Sequence, residues 1–358
     1  MRNIRRCDTT SVEFETPGSN EMDQVNQLNE LMIQPLRKIN QVADDKGRTT
    51  TAQKRWRMLA RALTRSPEPI EPEDVISVRR FTSFNLIEPK IMQNAPADDK
   101  STWYEYSIGL DRDLYAVEIR RINKTFTANE LIGFNNTGNV CVWPSEECLG
   151  YYLLKNQRIC RNKTVLELGG GMSCLAGIIV AKYCGPSGVT LTDGNVTSVD
   201  NVRCIIARNN MADFVKCGVV QWARAANVLR QAANGNRAQT WSPETVDESR
   251  RTEGLYDVIL SADCLFFDDV RLDLVETIYG WLADDGIALI MAPRRGMTFQ
   301  MFADAAVKRG FLARQIERYD AEVWARHLEL GDNCNEYCAD IHYPVLLELT
   351  KQKKTPPG

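Results

Sequence analysis

The chain has 358 residues, of which 44% are hydrophobic and 25% charged, and its formal net charge is −3 at pH 7. This length and composition are typical of a globular protein with one large α/β domain and an additional lobe. The weak net charge gives no indication of nucleic-acid binding, and no run of about 18 apolar residues is present, so neither nucleic acid nor a membrane is expected as a partner.

The cysteines and the N-terminal residues indicate in which cellular compartment the protein is expected. Several of the 11 cysteines, among them Cys174, Cys204 and Cys264, lie in apolar segments, which is typical of reduced, buried thiols rather than of a disulfide framework. No apolar signal-peptide core follows the basic segment Met1–Arg6. We therefore expect a cytoplasmic protein, and the spacing of its cysteines and histidines predicts no metal site.

The first part of the chain divides into two regions by composition. Residues 1–50 are rich in Asn, Gln, Asp and Thr and form a predicted disordered tail. Residues 51–142 form a predicted lobe that begins with a basic amphipathic helix, Thr51–Arg65, and continues with alternating apolar residues that predict a β-rich structure. Its strands are predicted at Ser77–Ile87, Trp103–Leu110 and Tyr115–Ile119.

The stretch Thr164–Cys174 has the sequence TVLELGGGMSC and is the most informative of the chain. Its apolar start predicts a buried strand, and an apolar helix from Met172 to about Tyr183 is expected after the glycines. A strand, a glycine turn and a helix N-terminus form a loop that can cradle a nucleotide, although a glycine turn alone is a weak signal.

Two further features narrow the choice of ligand. Cys174 occupies the position of the third glycine of a dinucleotide-binding loop, which disfavours a pyrophosphate. Asp193 ends the next predicted strand, where a carboxylate can accept hydrogen bonds from both hydroxyls of a ribose. S-adenosylmethionine (AdoMet) keeps the adenosine and carries a cationic methionine in place of phosphates, which suits an acidic residue near the loop, and Glu167 is one.

Strands and helices alternate over residues 143–350, which predicts a second domain with a doubly wound sheet of the α/β class. Residues 223–254 are alanine-rich and then charged and form a predicted insertion, and 351–358 form a tail. Ligands of doubly wound sheets bind beyond the carboxyl ends of the strands. The strand ends that should meet at one cleft are Gly169–Gly171, Asp193, Trp222, Ala262–Asp263 and Pro293–Arg295.

Several motifs together carry a family resemblance over about residues 52–350. They are SVRRFTSFNL from Ser77, NTGNVCVWPSEE from Asn136, ELGGGMSCLAG from Glu167, LTDGN from Leu191, ADCLF from Ala262, APRRG from Ala292 and HYP from His342. With these motifs the chain resembles the class I AdoMet-dependent methyltransferases, and more narrowly the calmodulin-lysine N-methyltransferases. The resemblance implies a Rossmann-like sheet of seven strands with a small β-rich N-terminal lobe, and a cytoplasmic or nuclear location.

The resemblance also implies the cofactor and the substrate. The cofactor is S-adenosyl-L-methionine, and the residues implied to line its site are Trp143, Glu167, Gly169, Gly170, Gly171, Asp193, Trp222 and Ala262. Trp222 matches only as the end of a strand, and Trp241 is an alternative to it. The implied substrate is a lysine side chain of calmodulin, which is an acidic protein.

Methyl transfer to lysine places demands on the residues at and after the end of the predicted strand Tyr256–Asp263. The amine must lose a proton, although free lysine has a pKa of about 10.4, and it must align with the methyl group. Asp263 can orient the amine, or can cap a helix, and Phe266 can line a lysine channel, or belong to the core. Arg294 and Arg295 are candidates for contacts with an acidic substrate, the alternative being a solvated loop.

Other functions are less consistent with the motifs. A nucleic-acid amino-methyltransferase is expected to carry Asn/Asp-Pro-Pro-Tyr/Phe where this chain has DCLF from Asp263. A dehydrogenase is disfavoured by Cys174. A lysine methyltransferase of another protein stays open, as does a non-catalytic protein with the AdoMet fold, although the latter would be expected to lose Gly169, Gly171 or Asp193.

Overall fold

A computed structural model describes residues 81, 83–93, 100–123, 141–233, 256–265, 268 and 270–352. All of the described residues belong to one compact unit, Glu68–Gly358. The predictions for the tail at 1–50, for the basic helix and for Trp241 and Phe266 lie outside the described residues. Within the described ranges, no helix has the length and apolar character needed to cross a membrane.

Strands and helices alternate along the described part of the chain. The strands are β1 (Glu88–Ile91), β2 (Ser101–Leu110), β3 (Asp113–Ile122), β4 (Thr164–Leu168), β5 (Gly188–Asp193), β6 (Val215–Val219), β7 (Tyr256–Ala262), β8 (Leu282–Pro293), β9 (Phe311–Ile316) and β10 (Pro344–Lys351). The helices are α1 (Pro144–Lys155), α2 (Leu175–Tyr183), α3 (Val196–Arg208), α4 (Trp222–Ala233), α5 (Arg271–Trp281), α6 (Thr298–Arg309), α7 (Ala321–Asn333) and α8 (Ala339–His342).

Seven strands form the central sheet in the order β6-β5-β4-β7-β8-β10-β9. Strands β4 to β8 pair in parallel, and β10 is antiparallel to both of its neighbours. The chain builds the sheet in one direction from β4 to β6 and in the other from β7 onwards. The point at which the order reverses therefore lies between β4 and β7, where open α/β sheets bind their ligands. This arrangement confirms the predicted doubly wound α/β fold.

A second, antiparallel sheet of β1, β2 and β3 forms the predicted β-rich lobe. Strand β3 lies at its edge, and side chains from the helices satisfy backbone groups of that edge. The Tyr183 hydroxyl bonds to the N–H and C=O of Ala116 at 2.9 and 2.6 Å, and the Asn209 amide bonds to those of Glu118 at 3.1 and 2.7 Å. These bonds join the small sheet to α2 and α3 and protect its edge from other pairing.

The strand predicted at Ser77–Ile87 is wrong where the structure describes it, because β1 begins only after this segment. The Glu147 carboxylate, in the first turn of α1, accepts hydrogen bonds from the backbone N–H groups of Phe84, Leu86 and Ile87 at 2.8–3.2 Å. Backbone donors that bond to one carboxylate cannot also form a regular strand ladder. The segment is consequently tied to the start of α1 instead of to a neighbouring strand.

The first part of the predicted insertion at 223–254 is helical. Residues Trp222–Ala233 form α4, with Ala225 and Ala226 buried, and this helix is part of the connection from β6 to β7. Connections between parallel strands normally contain such a helix. Residues 234–255 lie outside the described residues, so an insertion there stays a prediction.

Two helices near the C-terminus were not predicted. Asp320 caps α7, since its carboxylate accepts hydrogen bonds from the N–H groups of Glu322 and Val323 at 2.8 and 3.1 Å. His342 ends α8. Its Nδ1 accepts the backbone N–H of Cys338 at 3.0 Å, which closes the helical turn, and β10 starts after it.

Candidate active site

The glycine loop after β4 depends on the absence of side chains. Gly169 and Gly171 have φ angles of 70° and 62°, a region that other residues rarely adopt. A β-carbon on Gly169 would also lie 2.6 Å from Sγ of Cys264 and 2.9 Å from the ring of Trp222. The loop is therefore closely packed against these two residues on one side, and its bare backbone can be approached by a ligand.

Asp193 ends β5 next to this loop, as the sequence predicts. Its Oδ2 accepts the N–H of Gly171 at 3.0 Å, and its Oδ1 accepts the N–H of Asn195 at 2.8 Å. Burial raises the pKa of Asp193 to about 6, although these backbone hydrogen bonds oppose the rise. Each carboxylate oxygen keeps further acceptor capacity, so Asp193 can take both ribose hydroxyls while it stays bonded to the loop.

Two more carboxylates are buried beside the loop. Glu167 on β4 accepts the N–H of Gly177 through Oε2 at 3.2 Å, and its Oε1 is buried without a hydrogen-bond partner among the described residues. Glu146 on α1 accepts the hydroxyl of Ser173 at 2.8 Å and the N–H of Leu175. Burial raises the pKa of Glu146 to about 7, and burial together with the charge of Glu146 raises that of Glu167 to about 8.

The ends of three parallel strands meet at the loop. Trp222 was predicted at a strand end but begins α4, and its buried ring still packs against Gly169. Cys264, just after β7, directs its thiol to the carbonyl of Gly169 at 3.5 Å. Ala262, the last residue of β7, and Trp143, at the N-cap of α1, are both partly buried. The contacts of Trp222 and Cys264 support the expectation of one cleft.

Asp263 follows β7 directly and is held in one orientation. Its N–H bonds to the carbonyl of Met291 on β8 at 2.9 Å. Both of its carboxylate oxygens accept hydrogen bonds from the guanidinium of Arg295, with Nη2 lying 2.8 Å from Oδ2. The N–H of Arg295 bonds to the carbonyl of Asp340 at 2.7 Å, and its Nε bonds to that of Ile341 at 3.3 Å. The result is a bidentate, buried ion pair.

This pair corrects the expectation that Arg295 is a surface contact for an acidic substrate. The side chain of Arg295 is only 10% exposed, and its charge is directed at Asp263. Arg294 is 46% exposed and forms an ion pair with Glu317 at 3.2 Å. Exposed pairs of this kind are weak and screened by salt, so Arg294 remains able to meet another acidic group. The role of Phe266 stays a prediction.

Two features of the site were missed in the sequence. Glu146 belongs to the motif Pro144–Glu147, which marks a helix start, but acidic residues in a first turn usually face solvent. The pairing of Asp263 with Arg295 had no sequence signal, because 32 residues separate the two side chains. Both features depend on how the elements pack, which periodicity does not report.

Comparison with known proteins identifies the family. A family model described as lysine methyltransferase matches residues 126–233. The chain is 30% identical over 314 residues to a calmodulin-lysine N-methyltransferase of Arabidopsis thaliana, and the match covers 83% of this chain and 96% of that relative. The chain belongs to the AdoMet-dependent protein-lysine methyltransferases.

More distant similarities involve smaller parts of this methyltransferase. It is 29% identical over 191 residues to the protein-lysine N-methyltransferase EFM3 of Chaetomium thermophilum, a match that covers 51% of each chain. Among solved structures, a methyltransferase from Pyrococcus furiosus has a TM-score of 0.37 and 16% identity, and the match covers 55% of this chain and 79% of that one.

The residues of the methyltransferase fit AdoMet as its cofactor. When bound, AdoMet supplies a methyl group activated by its positively charged sulfur. The acceptors of Asp193 suit the ribose, and the unpartnered Oε1 of Glu167 can take one further donor. The three buried carboxylates, Glu146, Glu167 and Asp193, would favour a cation, since a nearby positive charge stabilises their ionised forms.

Proposed function

We propose that this methyltransferase transfers methyl groups from S-adenosyl-L-methionine to the side-chain amine of a lysine in calmodulin. The observation that carries the proposal is the similarity to the Arabidopsis thaliana protein, which extends over 96% of that relative and so well beyond the shared catalytic domain. The acidity of calmodulin adds support, because Arg294 is an exposed cation directly after the carboxyl end of β8.

The contacts of the cofactor residues support the roles that we propose for them. Asp193 binds the ribose hydroxyls, and the loop at 169–171 lets the cofactor approach the backbone. Trp222 forms a wall of the pocket, because its ring already packs against Gly169. Trp143, Glu167 and Ala262 complete the proposed site, and their support is the family resemblance together with their positions at the N-cap of α1, on β4 and at the end of β7.

Catalysis rests on positioning and electrostatics. The lysine amine must arrive without its proton, and a desolvated site favours the neutral form. Since the guanidinium of Arg295 donates to both oxygens of Asp263, we assign Asp263 to orienting the amine rather than to removing its proton. A remaining lone pair of that carboxylate can accept an N–H of the amine and direct the nitrogen at the methyl group. Phe266 is proposed to line the lysine channel.

The test uses the purified full-length protein, isotope-labelled AdoMet and calmodulin, with mass spectrometry to locate the label. We expect methylation of a calmodulin lysine by the parent and a strongly reduced rate of methylation by Asp263→Asn. If lysines of other proteins in a cell extract are labelled and calmodulin is not, the substrate is another protein. AdoMet binding without label in any protein would favour the non-catalytic alternative.

A further inference from the structure

A cavity of about 150 Å³ lies between the small sheet and the cofactor loop. Tyr104 on β2 and the end of β3 form one side of it, and Met172 and Ser173, which directly follow the glycine loop, form another. The Ser173 hydroxyl also bonds to Glu146 at 2.8 Å. The cavity therefore borders the cofactor site but is built mainly from residues outside it.

Arg121 on β3 supplies the positive charge of this cavity in a fixed geometry. Its guanidinium lies over the Tyr104 ring, 4.5 Å from the centroid, and 5.3 Å from that of Tyr106. The Tyr106 hydroxyl accepts hydrogen bonds from both Nε, at 2.7 Å, and Nη2. Burial raises the pKa of Tyr106 to about 12, so the phenol stays neutral at physiological pH. Two aromatic rings and a neutral hydroxyl thus orient the cation.

The charge of Arg121 has no acidic partner within the part of the chain that the structure describes. Glu146, whose charge acts on Tyr106, is itself bonded to Ser173 and Leu175. The neighbouring Arg120 also lines the cavity, but its guanidinium bonds to Ser101 and Asn201, so Arg121 is the residue on which the proposal depends. A half-buried cation with fixed donors and no carboxylate of its own is suited to binding one from another molecule.

We propose that this cavity binds an acidic side chain of the protein substrate, close to its target lysine, and that Arg121 is the residue that recognises it. The proposal rests on the proposed function only in requiring a protein substrate with acidic groups near the lysine. Because the chain has a net charge of −3, an acidic partner has to be attracted by local cations. Little conformational entropy would be lost on binding, since the guanidinium is already held in place.

The test compares two short peptides that carry one lysine flanked either by glutamates or by glutamines. Each is labelled and bound to the full-length protein saturated with S-adenosylhomocysteine, and affinity is measured by fluorescence anisotropy. The parent should prefer the glutamate peptide about tenfold, as expected for a charge-assisted hydrogen bond. Arg121→Gln should bring this ratio close to one, and Arg121→Lys should restore part of it. Arg112→Gln, at an exposed position in the β2–β3 turn, should keep the parent ratio.

Calorimetry of AdoMet binding separates the two possible sources of the carboxylate. If Arg121→Gln weakens AdoMet binding and leaves the peptide ratio unchanged, Arg121 holds the carboxylate of the cofactor and the proposal is overturned. A parent ratio near one, or an Arg121→Gln ratio equal to that of the parent, overturns it as well. If Arg121 discriminates between the two peptides but the protein does not methylate calmodulin, only calmodulin is rejected as the substrate. The proposed subsite is then retained.

Discussion

Asp263 and Arg295 form a buried, bidentate ion pair that joins the ends of β7 and β8. The backbones of the two residues have positive φ angles, 55° and 42°. Residues other than glycine rarely adopt this conformation, and it persists where the surrounding structure holds it in place. Asp340 holds the turn of Arg295, because its carbonyl accepts the Arg295 N–H and its carboxylate accepts the N–H of Gly296 at 2.8 Å. The orientation of Asp263 therefore depends on the C-terminal part of the chain.

Asp263→Asn should abolish most turnover and leave AdoMet affinity close to that of the parent. The amide keeps the size of the side chain but loses the negative charge that orients the amine, and loss of such a group costs about a hundredfold or more in kcat. Steady-state kinetics on the methylated substrate and calorimetry with AdoMet measure the two effects. Turnover equal to that of the parent would remove Asp263 from the catalytic step.

Arg295→Met should destabilise the protein by about 3–5 kcal/mol, because it leaves the Asp263 carboxylate buried without its partner. Arg295→Lys keeps the charge but loses the bidentate geometry, so kcat should fall more than AdoMet affinity. Urea unfolding of Arg295→Met, Asp263→Asn and the double variant tests the coupling. Purely additive losses would show that the ion pair contributes nothing of its own.

Asp193→Ala should weaken AdoMet binding by about 1–3 kcal/mol, through the loss of hydrogen bonds to the ribose. The exposed Asp213→Ala is the matched control and should bind as the parent does. Because the pKa of Asp193 is raised to about 6, the parent's affinity should fall as the pH is lowered through that value and the carboxylate takes up a proton. Calorimetry between pH 5 and pH 8 measures both effects, and a pH-independent affinity would contradict the role of this carboxylate.

Glu167→Gln should make the stability of the cofactor-free protein less dependent on pH. Burial raises the pKa of Glu167 from 4.5 to about 8, so the folded state binds a proton more tightly than the unfolded chain does. That contribution to stability is complete below pH 4.5 and is lost as the pH rises to about 8. Thermal unfolding from pH 5 to pH 8.5 should show a shallower decline for this variant than for the parent. Glu336→Gln, at an exposed position, should decline like the parent.

Arg294→Glu should raise the KM for an acidic protein substrate several-fold at low salt, with a smaller effect at high salt and little change in kcat. The reason is that an exposed charge acts on association through a field that salt screens. Arg158→Glu changes an exposed charge in the connection between α1 and β4 and serves as the control. If Arg294→Glu leaves the KM equal to that of the parent at both salt concentrations, Arg294 does not take part in substrate association and is only a solvated residue.

The sequence by itself determined the features that depend on neighbouring residues. The apolar run of β4, the glycine loop, Asp193 at the end of β5 and the alternation of strands and helices are local patterns, and each fixes backbone conformation or burial within one element. Since parallel strands end at one edge of a sheet, the alternation also predicted where the cleft lies. The family motifs in the sequence also indicated that the cofactor is AdoMet.

Only the tertiary structure decided which distant side chains meet. Arg295 looked like a surface cation in the sequence, yet the packing of the turn after β8 against α8 buries it on Asp263. The alternation of apolar residues favoured a strand at 84–87, but the backbone N–H groups there bond to Glu147 instead. The reason is that a buried carboxylate needs several hydrogen-bond donors. Contacts of this kind join residues far apart in the chain, and their energy depends on burial and orientation, which only the folded arrangement of the elements fixes.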